Sequence, residues 1–303
     1  MSKPTVTLLR GHNANVWDLR SLERLEDRYA IRARVTGSNV HDLRGLALPT
    51  KPIRTPRDIF PAGRMAGGAA YAIGERYLGL RNALEGSDIV HTAEIGTWFT
   101  AQAAGLKERL GFRLVANVAE TLPWARTYRW PRERRYRERS LETIDLFLAM
   151  TERARECLLV EGVPDDRIMI RPLGVDTSRF SAGENPDGPS RHFVLSAGRL
   201  VWEKGHQDVL RAMSVIQRSR DDVDLLILGS GPEEKKLRSY AEELGVRCRF
   251  EETIAYDEMP RVYSAASALV LASLPVPGWE EHFGMVLVEA RSSGLPVLAS
   301  TSG

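Results

Sequence analysis

Short apolar runs alternate with longer segments of helical periodicity along most of the chain. Val6–Leu9, Asp88–Val90, Leu114–Val118, Ile144–Ala149 and Arg167–Ile170 read as strands. Tyr71–Glu85, Phe99–Leu110 and Glu152–Gly162 read as helices between them. A clearer second series follows, with strands at His192–Ala197, Asp224–Leu228, Arg247–Phe250, Ala268–Ala272 and Pro296–Ser300. Its helices are Gln207–Arg218, Glu233–Leu244 and Phe283–Ser293. Strand–helix alternation is the pattern of parallel βαβ units, and strands apolar on both faces belong in a sheet covered on both sides. Between the two series, Ser181–Ser190 is nearly devoid of apolar residues and rich in Gly and Pro, which marks a linker. The expected division is therefore 1–185 and 186–303. The sequence stops directly after a strand, so the second α/β domain is expected to be incomplete.

Composition agrees with this reading. A length of 303 residues fits two domains of roughly 150. Hydrophobic residues at 43% and charged residues at 27% exclude whole-chain disorder, a collagen repeat and a coiled coil. Lys and Arg (42) almost balance Asp and Glu (40), so no nucleic-acid partner is expected. Cys157 and Cys248 form no C-x-x-C pair, which suits buried reduced thiols in a cytoplasmic protein. The first ten residues lack a signal-peptide core, and no run of 18 apolar residues exists.

In open parallel sheets ligands bind at the carboxyl ends of strands, so the residues after each strand carry the candidate chemistry. Gly198-Arg199 and Glu203-Lys204-Gly205 place two cations after one strand. They suit a diphosphate, with Arg as a fork and Lys as a point charge, although surface charges alone are often only solvated. After the strand ending at Ala272 comes Glu281, and a helix is expected to begin near Phe283-Gly284. The free N–H groups and dipole of that helix favour a phosphate, and Gly284 lets a ligand approach the backbone. Glu289 lies within an otherwise apolar helix. It is either a carboxylate at the helix surface or a clamp on sugar or ribose hydroxyls. Asp222-Val-Asp224 has the form of a metal-binding D-x-D, but it precedes a strand and reads as solvated surface, so no metal is expected.

Glu281-x7-Glu289 with Phe283-Gly284, followed by Gly294-Leu-Pro-Val-Leu-Ala, resembles the signature of family 4 glycosyltransferases of the GT-B fold. The Gly198–Gly205 segment, Leu226-Ile-Leu-Gly229-Ser-Gly231-Pro232, and Arg171-Pro-Leu-Gly174-Val175-Asp176 with Phe180 match the same family. The resemblance is strong over about residues 150–303 and weaker before them. It implies two Rossmann-like domains facing across a cleft and retaining transfer from a nucleoside-diphosphate sugar to a glycan, lipid or small-molecule acceptor. In that family Arg199 and Lys204 would bind the diphosphate and Glu281 the transferred sugar. Phe283, Gly284 and Met285 would support sugar and phosphate, and Glu289 would bind the ribose. Leaving-group charge would then be met by protein cations and a helix N-terminus rather than a metal.

The first half departs from the family pattern. Its glycine-rich loop is reduced to Arg10-Gly11-His12, where Gly11 is the position that lets the backbone approach the donor. The family's usual His after the strand ending near Val118 is replaced by Ala119-Glu120. Glu120 and His91 are therefore the acceptor-side catalytic candidates, with Glu94 facing the same way by topology. Arg126–Arg139 holds seven Arg and two Glu interleaved with aromatics. It reads as a solvated helix face, as a contact to anionic lipid on the cytoplasmic face of a membrane, or least readily as an RNA site. The resemblance implies a lipid-linked or cell-envelope acceptor. The rival functions are an inactive fragment that at most binds nucleotide sugar, and another GT-B enzyme such as a sugar-nucleotide epimerase. No G-x-G-x-x-G dehydrogenase fingerprint and no P-loop is present.

Overall fold

The computed structural model describes residues 2–59, 74–125, 130–182, 192–252 and 254–303. They form two compact units, Met1–Leu173 and Gly174–Gly303. The division falls earlier than the one expected after residue 185, because Val175 and Phe180 pack into the second core. Most of the expected linker, 183–190, lies outside the described residues.

Among the described residues the first unit carries seven parallel strands. These are β1 (Thr5–Leu9), β2 (Ala30–Thr36), β3 (Thr50–Ile53), β4 (Ile89–Ala93), β5 (Arg113–Val118), β6 (Leu146–Ala149) and β7 (Ile168–Ile170), in the order β3-β2-β1-β4-β5-β6-β7. The apolar pattern misses β2 and β3. Arg32 and Arg34 interrupt the first, and Lys51-Pro52 the second; proline is tolerated there because β3 is an edge strand. The helices are α1 (Val16–Arg20), α2 (Leu80–Leu84), α3 (Trp98–Ala104), α4 (Lys107–Leu110), α5 (Pro131–Thr143) and α6 (Glu152–Val160). The side chains of Thr97 and Thr151 cap α3 and α6 by accepting N–H bonds from Thr100 and Ala154. The helix expected over Tyr71–Glu85 is helical only in α2, and 71–73 lie outside the described residues. The one expected over Phe99–Leu110 breaks at Gly105.

Among the described residues the second unit has five parallel strands in the order β10-β9-β8-β11-β12. They are β8 (His192–Ala197), β9 (Val223–Leu228), β10 (Cys248–Glu251), β11 (Ala268–Leu271) and β12 (Val297–Ala299). The helices are α7 (His206–Ile216), α8 (Glu234–Glu243), α9 (Met259–Ala265) and α10 (Met285–Ser292). Along β9 the side chains alternate between two cores. Leu226 and Leu228 join Phe180 and Tyr263, while Leu225 and Ile227 join Leu210 and Leu237. That double burial is why the strand reads as a continuous apolar run.

Both sheets are doubly wound. Strand order reverses between β1 and β4 and again between β8 and β11. In open sheets of this kind ligands bind at the strands' carboxyl ends beside such switch points. Among the described residues no helix is long and apolar enough to cross a membrane.

Candidate functional site

The loops that leave β8 and β11 meet at the switch point of the second sheet. The Leu274 N–H donates to the Glu203 carbonyl at 2.8 Å. Gly205 turns the first loop with φ +69°, and a Cβ there would stand 1.9 Å from the Ala272 carbonyl oxygen. The β9 loop is equally close, since a Cβ on Gly229 would lie 2.0 Å from the Gly198 oxygen. The glycines of these motifs are thus demanded by backbone meeting backbone.

This crossing brings together two residues far apart in sequence. Lys204 Nζ donates to Glu281 Oε2 at 2.6 Å, and Ser273 Oγ donates to the same oxygen at 2.7 Å. Both charged side chains are only 14% exposed. Lys204 also stands 5.2 Å from the centroid of the Trp279 ring. Arg199 is different: its side chain is 64% exposed, with Glu203 4.0 Å away. Phe283 and Met285 are half-buried and Gly284 is buried. Gly284 begins α10 in the left-handed conformation without a side-chain cap, so the first N–H groups of that helix meet no capping side chain.

Glu289 is not at the helix surface. It is 4% exposed, and its two oxygens accept from Tyr256 OH at 2.7 Å and Tyr263 OH at 2.9 Å. Burial raises its pKa, and the two tyrosine bonds work against that rise. Asp222 and Asp224 lie at the amino end of β9, paired to Arg220 and Arg247. This places them at the opposite end of the sheet from Lys204. Among the described residues no three His, Cys, Asp or Glu side chains gather as a metal-ligand set.

In the first unit the switch point is filled by protein. Arg10 is 3% exposed. It donates to Asp18 at 2.7 Å and to the His91 carbonyl at 2.9 Å. His91 lies inside β4 rather than after it, and its Nε2 donates to Asn117 Oδ1 at 3.1 Å. Nδ1 then faces Arg10 Nη2 at 3.4 Å as an acceptor. His91 is therefore an interior residue, a correction to its expected place at the rim. The space over Gly11 is occupied by Phe99, whose ring would be 2.8 Å from an added Cβ. Glu120 folds back to accept the N–H groups of Thr121 and Leu122, capping its own turn. Glu94 has φ +61° and accepts from the Ala119 N–H at 2.9 Å. Burial, with Glu120 nearby, pushes its carboxyl up to about 7.

The arginine run divides in the structure. Residues 126–129 lie outside the described ones. In α5, Arg137 turns inward to Glu161 at 2.8 Å, while Arg134 and Arg135 are exposed. Arg132, Tyr136 and Arg139 share one helical face and line a crevice of about 310 Å³ with Arg76 and Trp98.

The pattern "Glycosyltransferase Family 4" matches residues 10–179, more than half of the chain, and "Glycosyl transferases group 1" matches 178–303. The chain belongs to glycosyltransferase family 4. The family 4 chain is 31% identical over 144 residues to a GDP-mannose-dependent monoacylated alpha-(1-6)-phosphatidylinositol monomannoside mannosyltransferase of Corynebacterium glutamicum. It is 32% identical over 197 residues to a D-inositol 3-phosphate glycosyltransferase of Corynebacterium jeikeium. These matches cover 44% and 58% of this chain and span 38% and 46% of the relatives' own lengths. Anabaena HepE, solved with UDP-glucose, superposes with a TM-score of 0.72 at 16% identity, covering 99% of this chain and 81% of that one. A putative UDP-N-acetylglucosamine 2-epimerase of Listeria monocytogenes shares the fold with a TM-score of 0.61 at 18% identity, covering 98% and 79%. At these identities the two structures show a shared fold.

Four neighbours in the candidate site carry no signal in the sequence: Ser273, Trp279, Tyr256 and Tyr263. The same is true of His206, which is 1% exposed. The Arg199 carbonyl, 3.1 Å from Nε2, can only accept, so Nε2 carries the proton. Nδ1 then accepts from Ser196 Oγ at 2.8 Å. Burial drives His206 down to about 4, and burial with Arg10 drives His91 down to about 3.

Both histidines are neutral in the folded chain, whereas the unfolded chain titrates near 6.5. Below about pH 6.5 the unfolded chain takes up histidine protons that the folded one refuses, so the histidines' contribution to stability falls from there towards pH 4, while Glu94, raised to about 7, acts in the opposite direction. The expected slope is about 1 kcal/mol per pH unit for each histidine. Urea unfolding from pH 7 to 4.5 should show it, with a shallower slope for His206→Gln. An unchanged slope would exclude His206 as its source.

Proposed function

We propose that the chain transfers a glycosyl group, with retention, from a nucleoside-diphosphate sugar to a glycan or lipid-linked acceptor. The donor occupies the crevice of the second unit. The buried Lys204–Glu281 pair at the β8/β11 switch point carries this reading, because a sequestered cation at the ligand-binding edge of the sheet suits a diphosphate. Arg199 reaches the same phosphates from the exposed side, and the first turn of α10 supplies N–H groups. These groups stabilise the leaving diphosphate without calling on a metal. Glu281 holds the sugar, with Phe283, Gly284 and Met285 beneath it. Glu289 meets the ribose through its remaining lone pairs, its carboxylate aimed by the two tyrosines. Two relatives point to the same donor class: the Corynebacterium glutamicum protein is named for GDP-mannose, and HepE was solved with UDP-glucose. Trp130, 66% exposed at the start of arginine-rich α5, supports contact with an anionic membrane surface.

Calorimetric titration of UDP, GDP and ADP tests the donor site. One diphosphate is expected to bind, at least tenfold more weakly to Arg199→Ala. Absence of binding by all three would overturn the reading. The anomeric configuration of the product, read by NMR, tests retention. Flotation with anionic vesicles, using Arg134→Glu/Arg135→Glu for comparison, tests the membrane contact.

A further inference from the structure

One strand in from the edge of the first sheet, β2 carries a mostly buried cation that no carboxylate answers. Arg34 is 9% exposed, and its recorded hydrogen bond runs from Nη1 to the carbonyl of the adjacent Ala33. Among the described residues no Asp or Glu lies within ion-pair distance of it. Burial and the neighbouring Arg32 both disfavour its charged form. A guanidinium keeps its proton even so, and an uncompensated buried charge is among the most expensive features a fold can hold.

Its neighbours add positive charge. Arg32, Arg34 and Thr36 alternate onto one face of β2. Lys51 of β3, exposed at the edge, is in register with Arg34. Arg32 is held by neutral acceptors, Thr7 Oγ1 at 2.9 Å, the Glu85 carbonyl at 2.8 Å and Ser87 Oγ at 3.2 Å. Asp58, which follows β3, is engaged by the Thr55 N–H at 2.7 Å and by its hydroxyl. Thr36 is buried, and its Oγ1 has no hydrogen-bond partner. An orphaned hydroxyl thus lies two residues from a mostly buried guanidinium whose one protein acceptor is a neutral carbonyl. Both lie near the carboxyl end of their strand, the edge where ligands of such sheets bind, and the Arg34 carbonyl accepts the N–H of Arg10 at the end of β1.

We infer that Arg34, with Thr36 and Lys51, forms an anion site that receives a phosphate group of the acceptor. This rests on the proposed transferase reading for the word acceptor, but the site itself stands on the uncompensated charge. Arg34 supplies the bidentate fork, Lys51 the second cation and Thr36 a hydroxyl donor.

Inorganic phosphate is the first probe, titrated at constant ionic strength against chloride and read by calorimetry and melting temperature. The parent chain should bind it and melt higher in its presence. Arg34→Met should bind at least tenfold more weakly, yet melt no lower than the parent in chloride, because removing an unpaired buried charge relieves the fold. A purely structural arginine would instead lower the melting temperature. Lys51→Ala, at an exposed edge position, should weaken binding about threefold. The same titration in Lys204→Ala separates this site from the donor crevice. Phosphate binding that survives Lys204→Ala but not Arg34→Met supports the inference, even if no nucleoside diphosphate binds. Binding that vanishes in Lys204→Ala and persists in Arg34→Met, or no binding to the parent, overturns it. Glycerol phosphate in solution and phosphatidylinositol vesicles then distinguish the sources. An Arg34-dependent response to the first assigns a free phosphorylated polyol, and one confined to the second assigns a lipid headgroup. A response to either that is indifferent to Arg34 overturns the assignment.

Discussion

Glu281→Gln is expected to bind nucleoside diphosphate about tenfold more tightly than the parent chain while transferring sugar at least 100-fold more slowly. The opposed signs follow from one contact. Glu281 Oε2 holds Lys204 at 2.6 Å with Ser273 on the same oxygen, in a place where both charges are mostly shielded from water. A diphosphate entering the proposed donor crevice must share Lys204 with a carboxylate and lie near that negative charge. At an effective dielectric of about 20, like charges several ångströms apart oppose each other by on the order of 1–4 kcal/mol. Glutamine keeps the shape and an oxygen for Ser273 but removes the charge, so about 1.4 kcal/mol, or tenfold, returns to diphosphate binding. Transfer responds the other way. The carboxylate holds Lys204 in place and, in the proposed function, faces the sugar; losing one preorganised group of this kind costs about 10²–10³ in rate. Calorimetry of the diphosphate beside single-turnover transfer reads both halves. Weaker diphosphate binding in Glu281→Gln would make Glu281 a structural staple and sink the argument. Lys204→Ala provides the contrast, since it should weaken binding and transfer together.

How far the sequence could be read depended on where polar residues fell. The second unit was legible because β8, β9 and β11 are apolar on both faces, and its loop motifs lie at strand ends that the apolar runs locate. The first unit was less so. Arg32 and Arg34 hid β2, because two charged side chains break the apolar run by which a strand is read. His91 shows how a small boundary error changes a role. A strand ending at Val90 leaves His91 on the rim, whereas β4 continues to Ala93 and carries it inside, against Arg10 and Asn117. Partners distant in sequence were beyond reach. Lys204 and Glu281 were each visible as candidates, but their contact follows from the crossing of two loops. The tyrosines of Glu289 come from α9 and the turn before it, where spacing carries no signal.

The loop crossing itself yields the largest expected effect on the fold. Gly205→Ala should destabilise the second unit by at least about 3 kcal/mol, against about 1 kcal/mol for Gly245→Ala. Both glycines have left-handed φ, +69° and +64°, so an alanine suffers the same local strain at either place. They differ in what the new Cβ meets. At Gly245 nothing lies within 4 Å. At Gly205 the Cβ would fall 1.9 Å from the oxygen and 2.6 Å from the carbon of the Ala272 carbonyl. No rotamer relieves a clash with backbone, so one of the two loops must move. Lys204 is the residue before Gly205, and Ser273 the residue after Ala272. Any displacement therefore pulls apart the contacts to Glu281 that define the proposed donor crevice. Gly205→Ala should accordingly lower the melting temperature of the second unit by about 10 °C. Diphosphate affinity should fall at least 100-fold, while Gly245→Ala melts a few degrees lower and binds normally. Equal behaviour of the two variants would show that the β8 and β11 loops are not locked together at this point, and the pairing of Lys204 with Glu281 would lose its structural cause.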